Sequence, residues 1–291
     1  MNLDLLAGAA RPARPVAMSR PTILVFDSGL GGLTVFAEVK ASRPDARLVY
    51  AADDAAFPYG ALSESAVVER VGAVMARLVA RHAPDVVVIA CNTASTLVLP
   101  HLRARFDVPF VGTVPAIKPA AAASVSKRVS VLATPGTVAR DYTRGLIETY
   151  AGECRVQLVG SQRLAGYAEA AMRGETVPDT AVAAEIAPCF VADDAGRTDV
   201  VVLGCTHYPL LLSRFRDLAP WPVTWIDPAP AIARRVSQLL GGDPGATSTA
   251  APDPVAVFTE GGRIDPRLRQ ALASRGLPLA VVDPLPLGRE H

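Results

Sequence analysis

Aromatic residues make up only 5% of this 291-residue chain and charged residues 20%. With so few rings, any core has to be filled by Ala, Val and Leu, and the 50% hydrophobic content allows that. The formal net charge is +1, with acids and bases interspersed. Nothing in that balance favours nucleic acid or an acidic membrane as the main partner. No apolar run approaches the ~20 residues of a membrane span, because charge or proline interrupts each one. The four cysteines form no CxxC pair and no Cys/His cluster, so a zinc site is poorly supported. The opening MNLDLLAGAARPARPVAMSR carries Asp4, two Arg-Pro pairs and no sustained apolar core, unlike a secretory signal. Residues 1–20 are expected to be a flexible leader, with Met18 a second candidate for the natural start. A cytoplasmic location follows, where thiols stay reduced and a structural disulfide is not expected.

What the chain does contain is a repeating strand–turn–helix rhythm. Short apolar runs at 22–26, 46–52, 85–90 and 109–114 alternate with stretches of helical length. One of these, SESAVVERVGAVMARLVARH over 63–82, has apolar positions recurring at three and four, a Ser-Glu start and an Ala-Pro stop. A second set of runs follows at 128–133, 154–160, 199–204 and 222–226, and further strands are expected at 255–260 and 277–283. Continuous Val/Ile runs are the mark of strands buried on both faces, as in a parallel sheet covered by helices. The fold class expected is therefore α/β with two pseudo-symmetric domains. Each would be a mostly parallel sheet flanked by helices, with the active site in the cleft between them. The chain is expected to cross near 115 and return near 226. That gives a first domain of 21–114 plus 226–285, a second of 115–225, and a tail of 286–291. The segment 241–254, GGDPGATSTAAPDP, reads as a surface loop.

Two strand ends stand out because they say nearly the same thing: DVVVIACNTAS over 85–95 and DVVVLGCTHYP over 199–209. In an open parallel sheet, ligands collect beyond the carboxyl ends of the strands. Cys91 and Cys205 each sit just past such an end. If the halves are related by pseudo-symmetry, the two thiols line opposite walls of one pocket. A cysteine after a strand is usually a small buried hydrophobe. Here both are preceded by a small residue and followed by polar ones: Asn92, Thr93 and Ser95 in one case, Thr206 and His207 in the other. Cys154 and Cys189 lack that company and read as packing residues. A redox pair would need disulfide distance, and a covalent nucleophile needs only one thiol. Proton traffic uses both: one thiolate removes a proton from carbon while the opposite thiol delivers one to the other face, inverting a stereocentre. A free thiol is only about 3% ionised at neutral pH, so such a site needs helix ends, polar donors, an acid or an imidazole to poise it.

Other signals carry less. GLGG after the first strand, with Asp53 and Asp54 after the next, invites a dinucleotide reading, but the G-x-G-x-x-G spacing breaks at Thr34. The glycines are read instead as letting backbone approach a small substrate. A pyridoxal enzyme needs a Schiff-base lysine, and Lys40, Lys118 and Lys127 come with no phosphate-cradling pattern. No cofactor is expected. His82 and His101 read as solvated groups, and Asp85 and Asp199 as turn residues at the far edge of the sheets.

FDSGLGGLTV (26–35), FPYG (57–60), ACNTAS (90–95), GTVPAIKPA (112–120), LATPGT (132–137) and GCTHYPLL (204–211) together resemble the glutamate racemases of the aspartate/glutamate racemase superfamily. The likeness runs over roughly 22–285. It implies a cofactor-independent, two-domain enzyme that interconverts L- and D-glutamate and supplies the D-form for peptidoglycan. By that resemblance Cys91 and Cys205 are the paired acid/base residues, Cys91 working on the D-enantiomer and Cys205 on the L-enantiomer. Asp27, Ser28, Tyr59, Gly60, Asn92, Thr93, Thr206 and His207 match the substrate contacts. Asp27 is placed either on the substrate ammonium or behind Cys91, and His207 behind Cys205. The family's Cys-Pro segment with its following acid is missing; LVGSQRLAGYAEAAMRGE stands there, with Glu169 the nearest acid. Glutamate is the expected partner, with a homodimer an option and no metal. The alternatives are a racemase of another small acid, of aspartate or hydantoin type, and a binding or regulatory protein on the same fold.

Overall fold

The computed structural model describes residues 20–194, 196–242, 252–260 and 264–285. The leader up to residue 19, Met18 within it, most of the 241–254 loop and the tail from 286 lie outside the described residues. The chain runs β1 Thr22–Asp27, α1 Leu33–Ser42, β2 Arg47–Ala52, α2 Glu64–His82, β3 Val86–Ile89, α3 Asn92–Arg105 and β4 Phe110–Gly112. It continues with α4 Ile117–Ala123, β5 Arg128–Ala133, α5 Pro135–Ala139, α6 Asp141–Tyr150, β6 Arg155–Gly160, α7 Leu164–Met172 and α8 Asp179–Ile186. Then come β7 Ala192–Asp193, β8 Gly196–Arg197, β9 Val200–Gly204, α9 Leu212–Leu218 and β10 Thr224–Ile226. The chain closes with α10 Ala229–Leu240, β11 Val255–Phe258, α11 Pro266–Ser274 and β12 Leu279–Val282.

Local chemistry accounts for the boundaries. The Ser63 side chain accepts the Ala66 N–H at the start of α2. At the other end Ala83 turns left-handed, with φ +43°, before Pro84. The Val/Ile runs of β3 and β9 are buried along their whole length, as strands covered on both faces must be.

The strands make two parallel sheets. The first has the order β12-β11-β2-β1-β3-β4 and the second β10-β9-β5-β6. Within them the stretches β2-β1-β3-β4 and β6-β5-β9-β10 have the same connectivity, so β1 corresponds to β5 and β3 to β9. This is the pseudo-symmetry that the repeated DVVV runs announce. The only antiparallel pair among the described residues is the short β7/β8 ribbon, which has too few residues to leave a pattern in the sequence. Each sheet is packed on both faces. Apolar side chains of α1, α10 and α11 cover one face of the first sheet, and those of α2 and α3 the other. Helices α7, α8 and α9 cover one face of the second sheet, and α4 and α6 the other.

Candidate active site

In each sheet there is one place where consecutive connections leave in opposite directions. In the first, β1 leads to β2 on one side while β3 lies on the other; in the second, β5 leads to β6 on one side while β9 lies on the other. Such switch points open a crevice at the strands' carboxyl ends. Of the four strand ends at these two crevices, that of β1 carries Asp27 as its last residue with Ser28 next, and the other three are followed by Cys91, Thr134 and Cys205-Thr206-His207. Thr134 received no role from the sequence, although it sits in a matched motif; its place past a switch-point strand was the available signal. Its hydroxyl lies 3.4 Å from that of Thr93.

The two crevices meet at Asp27. This carboxylate is fully buried. Its Oδ1 accepts the Gly29 N–H at 2.9 Å, and its Oδ2 accepts the Thr206 hydroxyl from the other sheet, also at 2.9 Å. Burial pushes the Asp27 carboxyl upward, against the nearby charge of His207 and the two donors. On one side, Ser28 Oγ approaches Cys91 Sγ at 3.8 Å. Cys91 caps α3 and is pushed up to about 12, first by burial and next by the Asp27 carboxylate; the Cys205 sulfur adds to the effect. At neutral pH Cys91 is a thiol. Next to it, both polar atoms of the Asn92 amide are buried with no protein partner, a cost that a polar ligand would remove.

The Cys205 side is built differently. Its Sγ stands 3.9 Å from His207 Nδ1, and His207 Nε2 stands 3.0 Å from Glu169 Oε1. Burial works against charge on this imidazole, but Cys205, Glu169 and Asp27 outweigh it and hold its pKa well above the ordinary range. The protonated ring therefore donates through Nε2 to Glu169 and through Nδ1 towards Cys205. The Gly31 N–H lies 3.2 Å from Nε2, a bond that only the deprotonated ring could accept. Glu169 is itself held below the usual carboxylate range. Burial resists its ionisation, yet His207, the Leu30 N–H at 2.5 Å and Arg173 prevail.

Two glycines of GLGG face side chains of the other half. A Cβ on Gly29 would meet Glu169 Oε1 at 2.4 Å, and one on Gly31 would meet His207 Nδ1 at 2.4 Å. At these two positions the absence of a side chain lets the loop pack against the Glu169–His207 pair. Glu169, the nearest acid by sequence, reaches the site directly.

The Tyr59 phenol is 1% exposed and donates to Asp53 Oδ2 at 2.6 Å, so it turns away from the cleft. Gly60 opens onto a cavity of about 370 Å³ between the two sheets' loops, lined by Tyr59, Gly60, Thr93, Gly136 and Arg140 among others. Arg140 crosses from the α5–α6 turn to donate to the Thr93 carbonyl at 2.9 Å and to the Thr96 hydroxyl.

The remaining titratable groups fall elsewhere. His101 is exposed. His82 is half-buried, not solvated as its arginine neighbours implied, and burial lowers its pKa. Asp85 and Asp199 accept backbone N–H groups at turns. Cys154 and Cys189 pack in the second sheet's apolar clusters, and all four cysteines are free. Among the described residues no group of three or more His, Cys, Asp or Glu could hold a metal ion, and no helix is long and apolar enough to cross a membrane.

The chain is similar to known proteins along most of its length. The family profile for Asp/Glu/Hydantoin racemase matches residues 34–236. A protein named glutamate racemase from Brucella anthropi is 58% identical over 229 residues, spanning 78% of this chain and 82% of its own. One from Sinorhizobium medicae is 54% identical over 264 residues, spanning 90% and 97%. The crystal structure of Escherichia coli glutamate racemase, in complex with L-glutamate and the activator UDP-MurNAc-Ala, superposes with a TM-score of 0.83. It is 41% identical and covers 93% of this chain and 100% of that one.

Proposed function

The chain belongs to the Asp/Glu/Hydantoin racemase family, and on that footing we propose that it interconverts L- and D-glutamate by moving protons between Cys91 and Cys205. One observation carries the reading. Two thiols, each just past the end of a switch-point strand, come from opposite sheets near enough for the Cys205 charge to bear on Cys91, and they have unlike partners, Ser28 in one case and His207 in the other. We assign the sheets to two domains, 21–114 with 226–285 and 115–225, so that the substrate lies between them. D-glutamate for peptidoglycan, made in the cytoplasm, is the use this reading gives the product.

The step balances as follows. With L-glutamate bound, the Cys205 thiolate takes the Cα proton and becomes a thiol, leaving the electron pair on the substrate. The Cys91 thiol then gives its proton to the opposite face, producing D-glutamate and a Cys91 thiolate. The imidazolium of His207 supports the first thiolate, and Glu169 holds the ring charged and oriented. Among the described residues no such cation is hydrogen-bonded to Cys91, and burial together with the Asp27 carboxylate keeps it protonated. Cys91 is thus the acid of this direction, and Cys205, beside His207, its base. Asn92, Thr93, Thr206 and Ser28 are the donors assigned to the substrate carboxylates, with Tyr59 and Gly60 contributing backbone.

Glutamate, rather than aspartate or a hydantoin, is the substrate that the relatives' names support. Incubation of each pure enantiomer, without added cofactor and followed by polarimetry, tests it. Glutamate is expected to lose rotation and aspartate to keep it; the reverse would reassign the substrate, and no change with either would favour a binding role.

Asp27 has its own test. Replacing it by Asn removes the second-largest influence raising Cys91, and also one that raises His207. Both groups then lose their protons at lower pH. The alkaline limb of kcat/KM for Asp27→Asn is therefore expected to move to lower pH. A higher KM with the limb unmoved would make Asp27 an ammonium ligand only.

A further inference from the structure

A second buried carboxylate, Asp53, stands just past the end of β2, and the chemistry above gives it no task. Its backbone N–H donates to the Asp27 carbonyl at 2.9 Å, one strand away. Both of its oxygens are filled. Oδ2 accepts Arg70 Nε at 2.8 Å and the Tyr59 phenol at 2.6 Å; Oδ1 accepts Arg70 Nη2 at 2.5 Å and the Thr259 hydroxyl at 2.7 Å. Taking an ion pair out of water costs free energy that is recovered only when geometry is good and the remaining lone pairs are used. Here the guanidinium is bidentate and two hydroxyls complete the set.

Three separate elements meet in this network: the end of β2, Arg70 from the middle of α2, and Thr259 just beyond β11. What they grip together is Tyr59, whose ring also packs 6.5 Å from that of Phe26. With its hydroxyl taken up by Asp53, Tyr59 has only its backbone to offer the cleft. Gly60 follows, and an added Cβ there would meet nothing within 4 Å, so that backbone faces open space. The wall across the cavity is Gly136 and Arg140.

We propose that Asp53 is a positioning residue: its pair with Arg70, pinned by Thr259, braces Tyr59 and so fixes the Tyr59-Gly60 backbone where a substrate carboxylate is met. This rests on the glutamate reading above. The brace acts on binding and not on proton transfer. The phenol is neutral throughout, since burial and Asp53 raise its pKa well above 10. Its removal leaves the charges around both sulfurs unchanged.

The experiment compares wild type, Tyr59→Phe, Thr259→Val, Thr259→Ser and the Tyr59→Phe/Thr259→Val double variant. Steady-state kinetics use both glutamate enantiomers across pH, with the folded fraction checked by circular dichroism at assay temperature. Tyr59→Phe and Thr259→Val are each expected to raise KM about fivefold or more while kcat stays within about twofold and the pH profile stays in place. The double variant is expected to raise KM by less than the product of the two, because both hydroxyls bond the Asp53 carboxylate; that of Thr259 also meets Asp54 Oδ1 at 3.3 Å and the Ala55 N–H at 3.2 Å, contacts that Thr259→Ser keeps. Thr259→Ser, which keeps the hydroxyl, is expected to match wild type. If Tyr59→Phe does not fold, the Val/Ser contrast at 259 decides alone. KM within about twofold for the folded variants, or a fall in kcat at constant KM, overturns the brace while wild type still racemises glutamate. A wild type that racemises no glutamate overturns the functional reading itself, and the brace with it.

Discussion

Cys91→Ser and Cys205→Ser are each expected to lower kcat/KM for racemisation by ~10³–10⁴-fold, the upper range for loss of a positioned acid or base. An alcohol is a far weaker acid than a thiol, so a serine at either place neither gives nor takes a proton at a useful rate. The loss must be equal for the two enantiomers. L- and D-glutamate have the same free energy in water, so kcat/KM in the two directions is tied together for every variant. What differs is the partial reaction that survives. Cys91→Ser keeps the base for L-glutamate, so slow exchange of its Cα proton with solvent is expected without inversion. Cys205→Ser keeps the base for D-glutamate and should exchange that enantiomer instead. Proton NMR in deuterated buffer reads both, and near-normal turnover by either variant would show that the thiols are not an acid/base pair.

Glu169→Gln is expected to lower kcat by about 10–100-fold, because a hydrogen bond to a charged group is worth ~1.5–3 kcal/mol and ~1.4 kcal/mol is tenfold in rate. Glutamine keeps the shape but not the charge. His207 loses a carboxylate that holds it protonated, so its pKa falls and the alkaline limb of the kcat profile moves to lower pH. A pH–rate comparison with wild type checks this. A drop in kcat with the limb unmoved would mean that Glu169 only shapes the loop through the Leu30 N–H.

The parts of the molecule that could be read from sequence are those with a local cause. Strands buried on both faces leave uninterrupted Val/Ile runs, and β3 and β9 do so in nearly identical words, which is why the doubled α/β plan and the two thiols were visible. Residues whose roles depend on a partner far along the chain were not. Only the resemblance singles out Glu169, as the nearest acid; its own stretch is ordinary, and the packing of α7 is what turns it towards a histidine 38 residues later. In GLGG, the bareness of Gly29 and Gly31 answers to Glu169 and His207, which no local pattern announces. Tyr59 sits in a matched motif, but the direction of its phenol is set by Asp53, Arg70 and Thr259, the last some 206 residues away from that carboxylate.

Deuterium incorporation early in the reaction is the most direct test of two sulfurs acting from opposite faces. Wild-type protein is given L-glutamate in D₂O, the reaction is stopped at low conversion, and the enantiomers are separated. The D-glutamate formed is expected to carry deuterium at Cα while the L-glutamate left behind still carries protium, with the mirror-image result from D-glutamate. Product that retains the original hydrogen, or substrate that becomes labelled as fast as product forms, would mean that one group handles both faces and that the paired-thiol account is wrong.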